Sequence, residues 1–388
     1  MNQTPNSERL RIAFFGRRNV GKSSLVNAFT GQRLSVVSDV KGTTTDPVSK
    51  AMELLPLGPV LILDTPGFDD EGALGALRIQ QTRKVLQEAD IVILVTDATR
   101  PPDDQEKAFL EEADKRNIPY LLVRNKADLC SELPREGLFT SALTGEGMEA
   151  LKQQVAALKP KEEERPLVRD LLSPGDTVVL VVPIDQSAPK GRLILPQQQT
   201  IRDILEAGAS ALACRDTELE RTLAALSKPP RLVITDSQAF DRVDALVPEE
   251  VPLTSFSILM ARYKGDLSLQ VEGIRGLENL KTGDRILIAE GCTHHRQCED
   301  IGTVKIPRLL CRHTGVEPEF VFVSGQDFPE DLSSFKWVIH CGGCMQTQRQ
   351  LQNRLDQCRR AGIPVTNYGL LLAHLNGILP RAIKPLIR

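Results

Sequence analysis

Gly16-Arg17-Arg18-Asn19-Val20-Gly21-Lys22-Ser23 lies between the apolar run Arg11–Phe15 and the helical run Ser23–Phe29. The spacing G-x4-G-K-S, behind a strand and ahead of a helix, is that of a phosphate-cradling loop. Its glycines let backbone N–H groups wrap an anion, Lys22 reaches the outer phosphate oxygens, and Ser23 offers its hydroxyl to Mg²⁺. Gly16, Asn19, Val20, Gly21 and Ser24 complete the nucleotide-contacting set expected of this loop. Outward from it, the apolar runs 60–64, 91–97 and 120–125 alternate with helical stretches at Ala73–Glu88 and Asp104–Lys115. Such alternation predicts βαβ units and a mostly parallel sheet.

Further motifs fall at the ends of these strands. Asp64-Thr65-Pro66-Gly67 closes one, where an aspartate can serve a Mg²⁺ ion and a glycine can sense a γ-phosphate. Asn125-Lys126-Ala127-Asp128 closes another, and the Asp128 carboxylate can accept two N–H bonds from guanine. Ser141-Ala142 follows at the distance of a base-supporting loop, and Gly42-Thr43-Thr44-Thr45-Asp46 fills the place of a first switch. Together they resemble the five motifs of translation-factor-type GTPases and cover roughly the first 160 residues. The resemblance implies GTP/GDP with Mg²⁺ held by Ser23 and Thr44, and Lys22, Thr44, Asp64 and Gly67 as catalytic residues. Phe68 stands where many small GTPases place a water-orienting glutamine, which predicts slow intrinsic hydrolysis. Asn19 resembles the asparagine of TrmE–Era-like GTPases, which implies a K⁺ ion in place of an arginine finger.

The charged, proline-bearing stretch 159–166 reads as a linker. Two smaller α/β blocks are expected beyond it. The expected organisation is a P-loop GTPase domain over 1–163, a second α/β domain over 170–262 and a third over 265–388. Strands are predicted at 177–182 and 231–236 in the second block. In the third they fall at 285–291, 320–325, 337–340 and 363–368, with a helix from about Gln346 to Arg360.

The third block concentrates thiols and imidazoles: Cys292-Thr293-His294, and later His340-Cys341-Gly342-Gly343-Cys344. Thiolates select zinc, copper(I) or iron–sulfur centres over hard cations. Both cysteine groups lie just past predicted strands, so they are expected to meet at one crevice edge. The N–H groups of the following helix could then stabilise an anionic centre. Residue types leave zinc and iron–sulfur open: structural zinc prefers four fixed ligands, and three thiolates suit a cluster with one exchangeable iron.

C-x-H followed at long range by H-C-x-x-C, behind an N-terminal GTPase, resembles the HydF family of [FeFe]-hydrogenase maturation GTPases across all three blocks. That resemblance implies a [4Fe–4S] cluster on Cys292, Cys341 and Cys344, with His294 and His340 as candidates for a fourth ligand. It implies a homodimer made by the middle block, and a scaffold that assembles or delivers a transient di-iron subcluster. The implied partners are the radical-SAM maturases HydE and HydG and the hydrogenase apoprotein.

The remaining cysteines read as ordinary, with Cys298 a possible competitor for metal and Cys130, Cys214, Cys311 and Cys358 as small hydrophobes or structural thiols. His295 and His313 read as surface residues, and Arg349, Arg354, Arg359 and Arg360 as a solvated helix face able to attract an anion. A net charge of −3 and 4% aromatic residues argue against nucleic acid as a partner, and with it against the rival reading of an RNA-modification or ribosome-assembly GTPase. A zinc-stabilised regulatory GTPase is the second rival. The polar start MNQTPNSERL and the lack of a bilayer-length apolar run predict a cytoplasmic protein with no membrane partner.

Overall fold

A computed structural model of the chain describes residues 4–32, 48–65, 67, 82, 84–134, 137–160, 165–184, 193–291, 300–325 and 327–387. The chain divides into two compact units, Met1–Glu162 and Glu163–Arg388.

The first unit is built on a six-stranded sheet. Its strands are β1 (Leu10–Gly16), β2 (Val48–Leu54), β3 (Gly58–Asp64), β4 (Ile91–Asp97), β5 (Tyr120–Asn125) and β6 (Leu138–Phe139), in the order β2-β3-β1-β4-β5-β6. Every pairing is parallel except that of β2 with β3. Strand side chains alternate between faces, and here both faces are buried. Ile12 and Phe14 pack with Leu25 and Phe29 of the helix Lys22–Thr30 and with Leu151 and Val155 of the helix Met148–Ala157. Ala13 and Phe15 point the other way, toward Val85, Leu86 and Phe109. The helix Asp104–Lys115 begins where its capping box dictates. Glu106 N donates to Asp103 Oδ1 at 3.0 Å, and Asp103 N donates to Glu106 Oε2 at 2.9 Å. Because β1 has β3 on one side and β4 on the other, the loop leaving it occupies a topological switch point, where open α/β sheets take their ligands.

The second unit holds two four-stranded sheets, all parallel. One has the order β10-β9-β7-β8, from β7 (Thr177–Val181), β8 (Ser210–Cys214), β9 (Leu232–Thr235) and β10 (Leu253–Ser255). The other has the order β12-β11-β13-β14, from β11 (Arg285–Glu290), β12 (Glu319–Ser324), β13 (Trp337–His340) and β14 (Val365–Asn367). A single apolar core runs through both, from Val178, Leu180 and Ile234 by way of Ile258 and Leu259 to Ile288, Trp337 and Leu371. Trp337 is fully buried and its Nε1 donates to Gly273 O at 2.8 Å. Gly276 must be glycine here, since a Cβ would lie 2.6 Å from the Trp337 ring. Strands β2, β6, β8 and β10 were not expected from sequence. They are edge strands or two to three residues long, with weak apolar alternation.

Candidate functional site

The phosphate-type loop leaves β1 in an unusual backbone conformation. Asn19 has φ of 62° and Gly21 φ of 83°, both left-handed, which glycine tolerates freely and asparagine better than most residues. Gly16 is pinned for a second reason: a Cβ there would come within 2.5 Å of Val95 O on β4. Asn19 is exposed at the loop tip, and Val20 is buried against the core beneath. Ser24 lies in the first turn of the helix Lys22–Thr30.

At the end of β3, Asp64 stands beside Phe14 in register, which brings it to the loop. Lys22 Nζ forms an ion pair with Asp64 Oδ1, and Ser23 Oγ donates to Asp64 Oδ2 at 3.1 Å. Lys22 and Asp64 are only 9% and 5% exposed, so an ammonium, a hydroxyl and a carboxylate share one nearly dry corner. That set fits a phosphate and its Mg²⁺: the ammonium can turn to phosphate oxygens while the hydroxyl and carboxylate face the cation. Gly67 follows three residues after Asp64 and is partly buried, whereas Thr44, the rest of the first-switch stretch 42–46 and Phe68 lie outside the described residues.

The base-side motifs close on the same loop. Asn125 Nδ2 donates to Val20 O at 3.0 Å, and Asn125 Oδ1 accepts from Ala142 N at 3.1 Å. Ser141, fully buried, donates from Oγ to Asp128 Oδ1 at 2.5 Å, which aims the exposed Asp128 carboxylate. Lys126 takes a left-handed backbone, φ 67°, and its Nζ meets Asp97 Oδ2 at 2.7 Å. Burial alone would raise the Asp97 pKa, but the hydrogen bonds from Lys126 and Thr99 outweigh it and hold it at about 2. Asp97 thus belongs to the site although no motif marked it.

In the second unit, Cys341 follows β13 and Gly291 follows β11, the adjacent parallel strand. Gly291 N donates to Cys341 Sγ at 2.9 Å and Gly343 N approaches the same sulfur at 3.4 Å. Cys292 and His294, like His295 and Cys298, lie outside the described residues, so the contact places only the residue before Cys292. Among the described residues no group of three or more metal-ligating side chains converges. Cys341 and Cys344 are not joined in a disulfide and lie half-buried on a turn made by Gly342 and Gly343, the latter with φ 66°. Burial pushes the Cys344 thiol up, as does the neighbouring Cys341, while Lys264 pulls it back down. Two N–H donors on one sulfur and a cation near the other fit a pair of thiolate ligands. The expected help from the next helix is different in form. Its N-terminus, Gln348, is capped by Thr347, whose Oγ1 accepts from Gln350 N at 3.2 Å, and the glycine N–H groups serve the sulfur instead.

His340 is 1% exposed, and both ring nitrogens are engaged: Nδ1 with Cys341 O at 2.8 Å and Nε2 with Arg354 Nη1 at 3.0 Å. Arg354 does not join a solvated face as expected. It is 8% exposed, on the stripe that also buries Leu351, Leu355 and Cys358. Arg359 instead pairs with Asp266 and Asp356 at 2.8 and 2.7 Å. A charge at i, i+3 within an apolar stripe was the sequence signal that could have marked Arg354.

Residues 268–385 match the hydrogen maturase F tetramerization domain, residues 167–265 the hydrogen maturase F dimerization domain, and residues 11–126 the 50S ribosome-binding GTPase family. The tRNA modification GTPase MnmE of Coxiella burnetii is 33% identical over 157 residues, 38% of this chain and 34% of that protein. GTPase Der of Wolinella succinogenes is 40% identical over 125 residues, 31% of this chain and 26% of that protein. The chain therefore spans about a third or less of the length of these curated relatives. Among solved structures, Aquifex aeolicus Era is 21% identical with a TM-score of 0.36, over 53% of this chain and 92% of that one. The G domain of the T. maritima FeoB iron transporter is 27% identical with a TM-score of 0.32, over 39% and 99%. With a GTPase domain followed in order by the two domains particular to hydrogen maturase F, the chain belongs to the HydF family, the hydrogenase maturation GTPases.

Proposed function

We propose that the chain is a GTP-hydrolysing scaffold that carries a [4Fe–4S] cluster on Cys292, Cys341 and Cys344 and assembles or delivers the di-iron subcluster of [FeFe]-hydrogenase. The observation that carries this reading is the Gly291 N–H on Cys341 Sγ at 2.9 Å, which draws the chain entering Cys292 onto the CxxC turn. A cluster held by three thiolates keeps one iron open to ligand exchange, the property a carrier of a second iron unit needs. His294 remains a candidate for that exchangeable position.

In the first unit Lys22 neutralises phosphate charge, Ser23 and Thr44 hold Mg²⁺ with Asp64 behind them, and Gly67 senses the γ-phosphate. Asp128, aimed by Ser141, selects guanine. Asn19 holds K⁺, whose charge stands in for an arginine finger and supports an intrinsically slow reaction. Functionally the chain works as three parts, 1–163 for GTP, 170–262 for homodimer formation and 265–388 for the cluster. Its partners are the HydE and HydG maturases and the hydrogenase apoprotein, and its compartment is the cytoplasm. No helix among the described residues is long and apolar enough to cross a membrane.

The deciding experiment is metal analysis of protein purified without oxygen. About four irons and four sulfides per chain are expected, from the stoichiometry of one [4Fe–4S] cluster. Stoichiometric zinc without sulfide would overturn the reading in favour of a zinc-stabilised regulatory GTPase.

A further inference from the structure

Behind the cysteine turn lie two buried cations that no motif announces. Lys264 closes the helix Phe256–Lys264 and is 3% exposed, with Nζ donating to Cys344 O at 3.0 Å and Gln346 O at 2.8 Å. Arg354 approaches from the helix Gln348–Ala361. Its Nη1 donates to His340 Nε2 at 3.0 Å, its Nη2 to Gly325 O at 2.5 Å, and its guanidinium lies 5.0 Å over the Phe328 ring. The Gln346 amide, with its oxygen turned to the guanidinium, accepts from Nη1 at 2.8 Å and Nη2 at 3.0 Å. One cation thus grips the carbonyls after Cys344, and the other grips the imidazole before Cys341.

An arginine only donates, so His340 Nε2 must offer its lone pair to Arg354. Nδ1 then carries the proton and gives it to Cys341 O. Neither nitrogen has a lone pair left for iron. Breaking this arrangement would strand a buried guanidinium proton, so ligation by His340 has a built-in cost.

We propose that Lys264, Arg354 and His340 are positioning residues that clamp the Cys341–Cys344 turn from behind, and that His340 is not an iron ligand. The proposal rests on the cluster reading above. Its consequences are kinetic and electrostatic: a turn fixed at both ends releases iron slowly, and positive charge beside the thiolates favours the reduced, more negative cluster. Lys264 also ends the helix that touches both sheets of the second unit, so the turn is tied to the middle block as well as to its own.

The test uses the full chain with its cluster reconstituted. Iron and sulfide in the wild type come first; if they are absent, the cluster reading fails and the variants are not needed. With the cluster present, Lys264→Met should keep near-normal iron, lose it to a chelator several-fold faster and show a more negative reduction potential. A release rate and potential both equal to wild type overturn the clamp. If circular dichroism shows that Lys264→Met does not fold, Arg354→Lys carries the same test. It keeps the charge but not the fork that reaches His340 and Gly325 together, so it should release iron faster, and wild-type release overturns the proposal. For His340, pulsed EPR of the reduced cluster in ¹⁵N-histidine-labelled protein should show the same nitrogen couplings in wild type and His340→Asn. A histidine coupling that vanishes only in His340→Asn overturns the assignment.

Discussion

Asn125 donates from Nδ2 to the carbonyl oxygen of Val20 at 3.0 Å, so the guanine-side motif holds the phosphate loop directly. Its other amide atom accepts from Ala142 N, and one residue braces three loops. Asn125→Ala should therefore weaken GTP and GDP alike, by about tenfold or more, because each orphaned buried group costs roughly 1–3 kcal/mol. Gly21→Ala should do the same from the opposite side, since its Cβ would fall on the Asn125 amide nitrogen at a φ of 83°. Fluorescent-nucleotide titration is the check, and wild-type affinity in either variant would refute the brace.

Asp128→Ala should abolish discrimination for guanine while leaving the Asn125 brace intact. The lost hydrogen bonds to the base leave unpaired polar groups, a penalty sites of this kind use for specificity. Competition of GTP against ATP and ITP reads the change. Undiminished GTP preference would remove Asp128 from the base pocket.

Hydrolysis should be faster in K⁺ than in Na⁺, and Asn19→Ala should erase the difference. The exposed, left-handed Asn19 can turn its side chain toward a nucleotide without disturbing the buried Val20 next to it. Phosphate-release rates in the two salts decide. Equal wild-type rates would sink the potassium assignment.

Lys22→Ala should lose GTPase activity and destabilise the first unit. It strips Asp64 of its buried ion-pair partner, a change that costs up to about 3–5 kcal/mol when one member of such a pair is removed. The second unit, with its own core, should keep its iron. Calorimetry and iron assay on one sample test both statements, and iron lost from folded protein would reveal direct coupling between the sites.

Cys292→Ser, Cys341→Ser and Cys344→Ser should each lower iron content and abolish hydrogenase activation. His294→Ala should retain iron and alter the magnetic spectrum, as expected when a neutral, replaceable ligand is lost. Cys298→Ser should behave as wild type. Damage equal to that of Cys292→Ser would mean four fixed thiolates and a closed site.

Local signals made much of this structure legible. The helix Asp104–Lys115 matches its sequence reading to the residue, and the structure shows a capping box at that start; β4 and β5 match because their apolar runs end abruptly. β8, Ser-Ala-Leu-Ala-Cys, escaped notice because small residues on a half-exposed edge leave no periodic trace. Lys264 carries no motif, and Arg354 reads from sequence as solvated although it is buried, for a related reason. A buried cation is stabilised by carbonyls and an imidazole from distant segments, and sequence spacing does not record those partners. Asn125 was assigned to the nucleotide, and only the folded chain shows that it also ties the loops together.

The helix Phe256–Lys264 packs against β10 of one sheet and β14 of the other, and one face of each sheet shares a single apolar core. One face of the cysteine-bearing sheet packs its own cluster, Leu287, Val338, Leu351 and Leu355, but the other face completes its core only with residues of the first sheet's layer. A fragment cut near residue 265 would expose the far side of Trp337, Ile288 and Leu371 and lose much of its stability. Fusion proteins that borrow only the C-terminal part should therefore fail to load iron for a mechanical reason, before any question of thiol chemistry arises. The portable piece is the whole second unit, Glu163–Arg388.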